Sequence, residues 1–227
     1  MPTHTPSWVD TLVQQLQAHA NPELVAGMEA YMKHHFQFMG VPAPLRKNIL
    51  KQQLALHPRP DAATYRSWVQ ALWAQPYREC HYCAQELYFK ALRKQVFPTD
   101  EALITQLLTT RSWWDSVDAL AKYALGPYLK AFPDRREALL AQYLQSGHLW
   151  LRRSTLLFQL DYKANTDVDC LQRMTLSLAD DPDFFIRKAI GWAWRTYAQI
   201  DPYFVKQWVP HAGLSNLSVR EALKHHR

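Results

Sequence analysis

The sequence predicts an all-α protein, a HEAT-like helical repeat solenoid of about six antiparallel helix pairs with a concave face. Three observations carry that prediction. Related short segments recur: P-Y-R-E-C from Pro76, W-W-D-S-V from Trp113, W-L-R-R-S from Trp150, F-I-R-K-A from Phe185 and S-V-R-E-A from Ser218. Their third positions, Arg78, Asp115, Arg152, Arg187 and Arg220, are spaced 37, 37, 35 and 33 residues apart. A second amphipathic stretch lies in each interval, so every period holds two helices. Finally, only 6 residues are Gly while 9 are Trp and 11 are Tyr. Few glycines and long helical periodicity argue against sandwiches and Rossmann-like sheets. At 227 residues the chain reads as one continuous domain, residues 1–227.

Taken in order, Thr5 and Pro6 carry a cap-plus-proline signal before Trp8, Val9, Leu12, Val13 and Leu16, which have helical spacing. Asn21-Pro22 repeats the signal ahead of Leu24, Val25, Met28, Tyr31 and Met32. Phe36 to Pro44 breaks the pattern and predicts a loop. A third helix follows Pro44 with Leu45, Ile49, Leu50 and Leu54, and His57-Pro58-Arg59-Pro60 is a further break. Within the repeats, the first helices fall at Leu103–Leu108, Ala138–Leu144, Cys170–Leu178 and Tyr203–Val209. The second helices should lie side by side along the concave face, where equivalent positions converge although far apart in the chain.

The formal charge of +6 and a pI near 9.2 favour an anionic partner such as nucleic acid. No apolar stretch is long enough to span a membrane. The first residues show no basic region followed by an apolar run, so no secretory signal is expected. Three cysteines, Cys80, Cys83 and Cys170, fit a reducing compartment. The spacing of Cys80 and Cys83 has no second pair to complete a zinc site, so core packing is expected and no metal. Phosphate loops, metalloprotease helices and nucleophile elbows are absent. Chemistry here must rest on an anion, a π surface and a held water.

One stretch offers the anion and the π surface. In S-W-W-D-S-V-D (112–118), Trp114 and Asp118 are four apart and share a helix face. A π surface beside an anion suits a group that carries, or is developing, positive charge. The structural alternative is that the tryptophans are core and the aspartates cap or pair with arginine. The next repeat brings Arg152 and Arg153. The following one brings Phe184, Phe185, Arg187, Lys188, Trp192 and Arg195, with Lys188, Trp192 and Arg195 along one flank. Arginines interleaved with aromatics suit a phosphate backbone. A repeat-internal ion pair would equally explain Arg152 and Arg187. Arg153, beside the repeated position, has no evident structural duty. Met32-Lys33-His34-His35 and the segment from Lys224 to Arg227 read as solvated or phosphate-facing ends.

These segments resemble a known family. S-W-W-D-S-V-D, W-L-R-R-S-T-L-L-F-Q-L (150–160), F-F-I-R-K-A-I-G-W (184–192), S-V-R-E-A-L-K-H (218–225) and Y-M-K-H-H-F-Q-F-M-G (31–40) are similar, in order and through essentially the whole chain, to AlkD-type DNA alkylation-repair glycosylases. The resemblance implies hydrolysis of the N-glycosidic bond of N3- and N7-alkylated purines, such as 3-methyladenine and 7-methylguanine, in double-stranded DNA. No lysine is placed for a Schiff base, so no lyase activity is expected, and a solenoid with capped ends reads as a monomer; no cofactor, no obligate protein partner and a cytoplasmic location are expected. The resemblance puts the active-site carboxylate at Asp118, aromatic walls at Trp114 and Trp192, and the basic partner on the lesion's backbone at Arg153. Further DNA-facing positions are Tyr31, Trp113, Phe184, Phe185, Lys188, Arg195 and Lys224. Asp161 departs from the pattern, where a basic residue is expected, and puts a local phosphate contact in doubt. The competing class is a non-catalytic HEAT-like scaffold that binds DNA or protein.

Overall fold

The computed structural model describes residues 7–57, 60–93 and 95–224. Among them there is no strand, only an isolated bridge between Gln37 and Tyr77. The helical repeat predicted from the sequence is present, and the chain groups into two compact units that divide after Gln95.

The first unit holds α1 (Trp8–Ala18), α2 (Pro22–Tyr31), α3 (Ala43–Ala55), α4 (Ala62–Trp73) and α5 (Arg78–Leu87), the last extended by a π-helical turn over Tyr88–Leu92. Ser7 caps α1, exchanging hydrogen bonds with Asp10. Thr5 and Pro6, where the sequence placed the start, lie outside the described residues, as do Pro58 and Arg59. Asn21 caps α2 as predicted, its side chain accepting from Glu23 N at 3.0 Å. Helix α3 begins at Ala43, inside the predicted loop, because a helix accepts Pro44 in its first turn. Helix α1 packs on α3 and α4, α3 on α5, and α4 on α5. Trp8 stacks on Trp68 at 4.1 Å and donates to Gln53 O at 3.3 Å.

The second unit holds α6 (Asp100–Thr109), α7 (Trp114–Leu120), α8 (Gly126–Ala131), α9 (Pro133–Gln145), α10 (Leu149–Leu157), α11 (Val168–Ser177), α12 (Phe184–Tyr197), α13 (Pro202–Trp208) and α14 (Asn216–Ala222). A π-helical turn at Ala121–Leu125 joins α7 to α8 without a break. Pro127 follows it, and its missing N–H and bulky ring are accommodated by the wider turn. Positions Asp115, Arg152, Arg187 and Arg220 all fall in second helices, so the period read from sequence is the period of the fold. Within this unit the second helices form a row, α7 against α10, α10 against α12, and α12 against α14. First helices back them: α6 packs on α7, α9 on α10, and α13 on α12.

The core includes the expected Leu, Ile and Ala of the repeats. It also buries Tyr128, Tyr143, Phe158 and Trp194 completely. Trp194 donates to Thr175 Oγ1 at 3.0 Å and lies 4.3 Å from the Trp208 ring, locking α12 to α11 and α13. Gly191 sets the α12–α14 spacing: an added Cβ would fall 2.4 Å from Glu221 Cβ and 2.9 Å from Ser218 O. All three cysteines are free and buried. Burial pushes Cys80 up to about 12, and Cys83 and Cys170 up to about 11, as fits inert core thiols.

Candidate active site

Helix α7 begins where the chain leaves α6. Trp113 is its extended N-cap. The Ser116 hydroxyl accepts from Trp113 N at 3.3 Å and donates to Trp113 O at 3.0 Å, fixing the entry. Two turns of helix then carry Trp114 and Asp118 on one face, as predicted.

Asp118 is met by Arg153 from α10. Nε donates to Oδ1 at 2.7 Å and Nη2 to Oδ2 at 3.0 Å, a two-pronged fork. The third nitrogen, Nη1, donates to the Phe185 carbonyl on α12. One guanidinium thus ties three successive second helices. Arg153 is 4 % exposed, whereas the Asp118 side chain keeps 14 % of its surface open. Burial pushes the Asp118 carboxyl above the usual carboxylate range; the Arg153 fork pulls it down, and nearby Asp115 pushes it up again.

These bonds correct one sequence expectation. Arg153 has a structural duty, because its three nitrogens are engaged inside the protein. The reason it escaped notice is distance along the chain: its partners lie 35 and 32 residues away. Arg152 holds Asp181, the repeat-internal ion pair that was one of its two readings. Arg187 donates to Asp181 O at 3.1 Å.

Beside the fork is an aromatic cluster. Trp113, Trp150 and Phe185 meet with ring centroids 5.6, 5.4 and 5.1 Å apart in tilted and edge-on contacts. Phe184 stands edge-on to Phe185 at 5.6 Å and is exposed. Trp150 was not among the sequence candidates. Its signal is its place in register with Trp113 and Phe185, the first positions of three successive repeat segments, and that signal reads equally as core. Trp114 is half-buried.

Trp192 lies elsewhere on α12, on the wall of a cavity of about 300 Å³ shared with Lys122, Asp161 and Lys163. Asp161 is 3.6 Å from Lys122, so the expected local exception in charge takes the form of an ion pair. Lys188 and Arg195 both reach one acid on α14: Lys188 Nζ is 3.0 Å from Glu221 Oε1, and Arg195 Nη1 is 3.1 Å from Oε2. Glu221 is held below the usual range mainly by the Lys188 hydrogen bond, with Arg195 and exposed Lys224 adding to the effect. The two predicted backbone-binding cations are therefore partly neutralised by a residue the sequence reading passed over. Its signal was its place, directly after the repeated Arg220. Tyr31 belongs to the first unit and is exposed. His225, His226 and Arg227 lie outside the described residues.

The family model described as DNA alkylation repair enzyme matches residues 12–226. The chain belongs to that family. A solved structure, described as a predicted DNA alkylation repair enzyme from Enterococcus faecalis, is 31% identical to it. The match covers 91% of this chain and 96% of that one, with a TM-score of 0.82. No curated protein matches. Membership makes this chain an alkylation-repair enzyme with DNA as its partner, and the sequence resemblance pointed to the same family.

Proposed function

We propose that this enzyme is a monofunctional DNA glycosylase that hydrolyses the N-glycosidic bond of cationic N3- and N7-alkylated purines in duplex DNA. The observation that carries the reading is the fixed, partly open carboxylate of Asp118. A carboxylate offers about four lone-pair directions, and Arg153 takes one on each oxygen. The remaining directions are free to face a sugar cation and a water.

Alkylation at N3 or N7 gives the purine a positive charge before any bond breaks. The base leaves with the electron pair of the C1′–N bond and becomes neutral, so no acid need protonate it. Positive charge then develops on the sugar. Asp118 stabilises that charge, orients a water toward C1′, and accepts its proton as the new C–O bond forms. Because Arg153 locks the carboxyl in place, little reorganisation is needed at the moment of reaction. Trp114 offers a π face to the cationic base, worth about 0.5–2 kcal/mol. Trp192, on the wall of the cavity it shares with Lys122, one helical turn past Asp118, is the second aromatic wall in this reading. The positive face is completed by Lys188, Arg195 and Lys224, with Tyr31, Trp113, Phe184 and Phe185 as further contacts.

The test is release of free base. Duplex DNA methylated with a simple alkylating agent is incubated with the protein, and the supernatant is separated and identified. Free 7-methylguanine and 3-methyladenine with uncut abasic strands are expected. Strand cleavage without added base would mean lyase chemistry, and binding without release would mean a non-catalytic DNA scaffold in which the Asp118–Arg153 pair is purely structural.

A further inference from the structure

Lys188, Gly191 and Arg195 lie at i, i+3 and i+7 of α12 and share one face, the two cations about 10 Å apart along the axis. Helix α14 packs on that face at the glycine, where an added Cβ would meet Glu221 Cβ at 2.4 Å. Glu221 therefore enters between the cations. Its Oε1 meets Lys188 Nζ at 3.0 Å, and its Oε2 meets Arg195 Nη1 at 3.1 Å. The missing side chain at Gly191 is what lets one carboxylate bridge cations two turns apart. The register is fixed by two serines of α14 and its cap. Ser218 Oγ donates to Arg187 O at 3.0 Å, and Ser215 Oγ accepts from Ser218 N at 3.2 Å.

The two cations are held unequally. Arg195 Nη1 also donates to the Glu221 carbonyl at 3.1 Å, so Arg195 is tied to both the side chain and the main chain of that residue. Among the described residues, Lys188 has the Glu221 carboxylate as its single acidic partner. It is also the more open, with 38 % of its side chain exposed against 26 % for Arg195. An exposed lysine–carboxylate pair adds little stability, so a second anion can take the lysine at small cost. Two cations share one acid, so Glu221 stays paired with Arg195 when Lys188 leaves.

We propose that Glu221 is a positioning residue that sets DNA affinity: it holds Lys188 in reserve, and Lys188 exchanges that carboxylate for a backbone phosphate when duplex DNA binds, while Arg195 remains on Glu221. This rests on the reading of the row of second helices as a DNA face, and not on the chemistry assigned to Asp118.

The probe is a short, undamaged, end-labelled DNA duplex, titrated with the intact protein by fluorescence anisotropy at several salt concentrations. Glu221→Gln keeps the shape and an acceptor for Arg195 but removes the charge. It should bind about three- to tenfold more tightly at low salt, the scale of one unit charge near a phosphate, and the gain should shrink as salt rises. Lys188→Met should lower the slope of log affinity against log salt by about one, the value for one lost phosphate contact. Arg195→Met should change that slope less and lower the urea midpoint more, because Arg195 is the structural partner. The inference is overturned if Glu221→Gln, with native circular dichroism, binds no more tightly than the wild type, or if Lys188→Met keeps the wild-type slope. Should Glu221→Gln not fold, the slopes of the two cation variants decide. A wild-type protein that fails to bind the duplex overturns the DNA face and this inference together; wild-type binding without the Glu221→Gln gain overturns the inference alone.

Discussion

Two buried carboxylates, one in each unit, have opposite fates. Glu79 on α5 is 1 % exposed and receives the N–H groups of Met39, Gly40 and Val41 in four contacts. Its acceptor capacity is spent holding a loop. Asp118 on α7 receives only the Arg153 fork, keeps part of its surface open, and sits beside a cluster of tryptophans and phenylalanine. Burial of an anion therefore does not by itself mark a catalytic group. What distinguishes Asp118 is unused lone pairs with a route to the outside. A guanidinium can hold a carboxylate in place and still leave half its acceptor directions free; three backbone donors leave almost none.

The contrast can be broken from the Asp118 side most forcefully by Arg153→Met. Removing one partner of a buried pair leaves an uncompensated charge and typically costs about 3–5 kcal/mol. Urea unfolding should show that loss; a change below about 1 kcal/mol would mean the fork adds nothing beyond an exposed pair. Asp118→Asn keeps the shape and removes the anion. Single-turnover release of 7-methylguanine should fall on the order of 100-fold or more, because the interaction is stronger in the transition state than in the ground state. Release at the wild-type rate would put Asp118 in the same structural class as Glu79.

Glu79→Gln sharpens the comparison from the other side. An amide cannot accept all of these N–H donors, and its own NH₂ would face them. The expected cost is about 1.5–3 kcal/mol of stability, the scale of hydrogen bonds to a charged group. Base release per folded molecule should not change. A lower rate at full folding would give Glu79 a part in the chemistry.

The smallest effect is on pH dependence. In the proposed mechanism Asp118 acts as an anion, and burial raises its pKa, so base release should fall on acidification while ordinary carboxylates near 3.8 are still ionised. In stability the sign is the reverse of the usual carboxylate case. Because the folded pKa lies above the unfolded one, the Asp118 contribution is lost as pH rises from the unfolded value through the folded one. Glu221, held low by Lys188, contributes stability above its unfolded value near 4.5 that is lost as pH falls through its folded pKa. Comparing wild type with Asp118→Asn by unfolding titrations from pH 3 to 7 separates the two. A rate that holds constant below the range of ordinary carboxylates would contradict the raised value.

Legibility differed between regions for physical reasons. The cap at Asn21, the helix faces and the period from Arg78 to Arg220 are local, each set by spacing within a turn or two or by repetition. Trp114 and Asp118 could be placed together because i and i+4 adjacency is a property of any helix. Helix α2 was legible as a helix, but its burial was not. Its apolar residues have helical spacing, but which side of a helix faces the core depends on what packs against it, and here the opposing wall is a cavity. Glu79 gave no signal, since a glutamate beside an arginine at a helix start looks solvated.

The sequence alone determined the helices, their pairing into repeats, the family, and the one turn on which an anion and a π surface coincide. Only the tertiary structure decided the partners. Arg153 meets Asp118 across 35 residues, Glu221 collects Lys188 and Arg195 across neighbouring helices, and Glu79 reaches back 40 residues to the loop at Met39. Each depends on the register and spacing of packed helices, which small residues such as Gly191 set by how closely they let backbones approach. Neither register nor spacing is a local property of the chain, so neither can be read from periodicity.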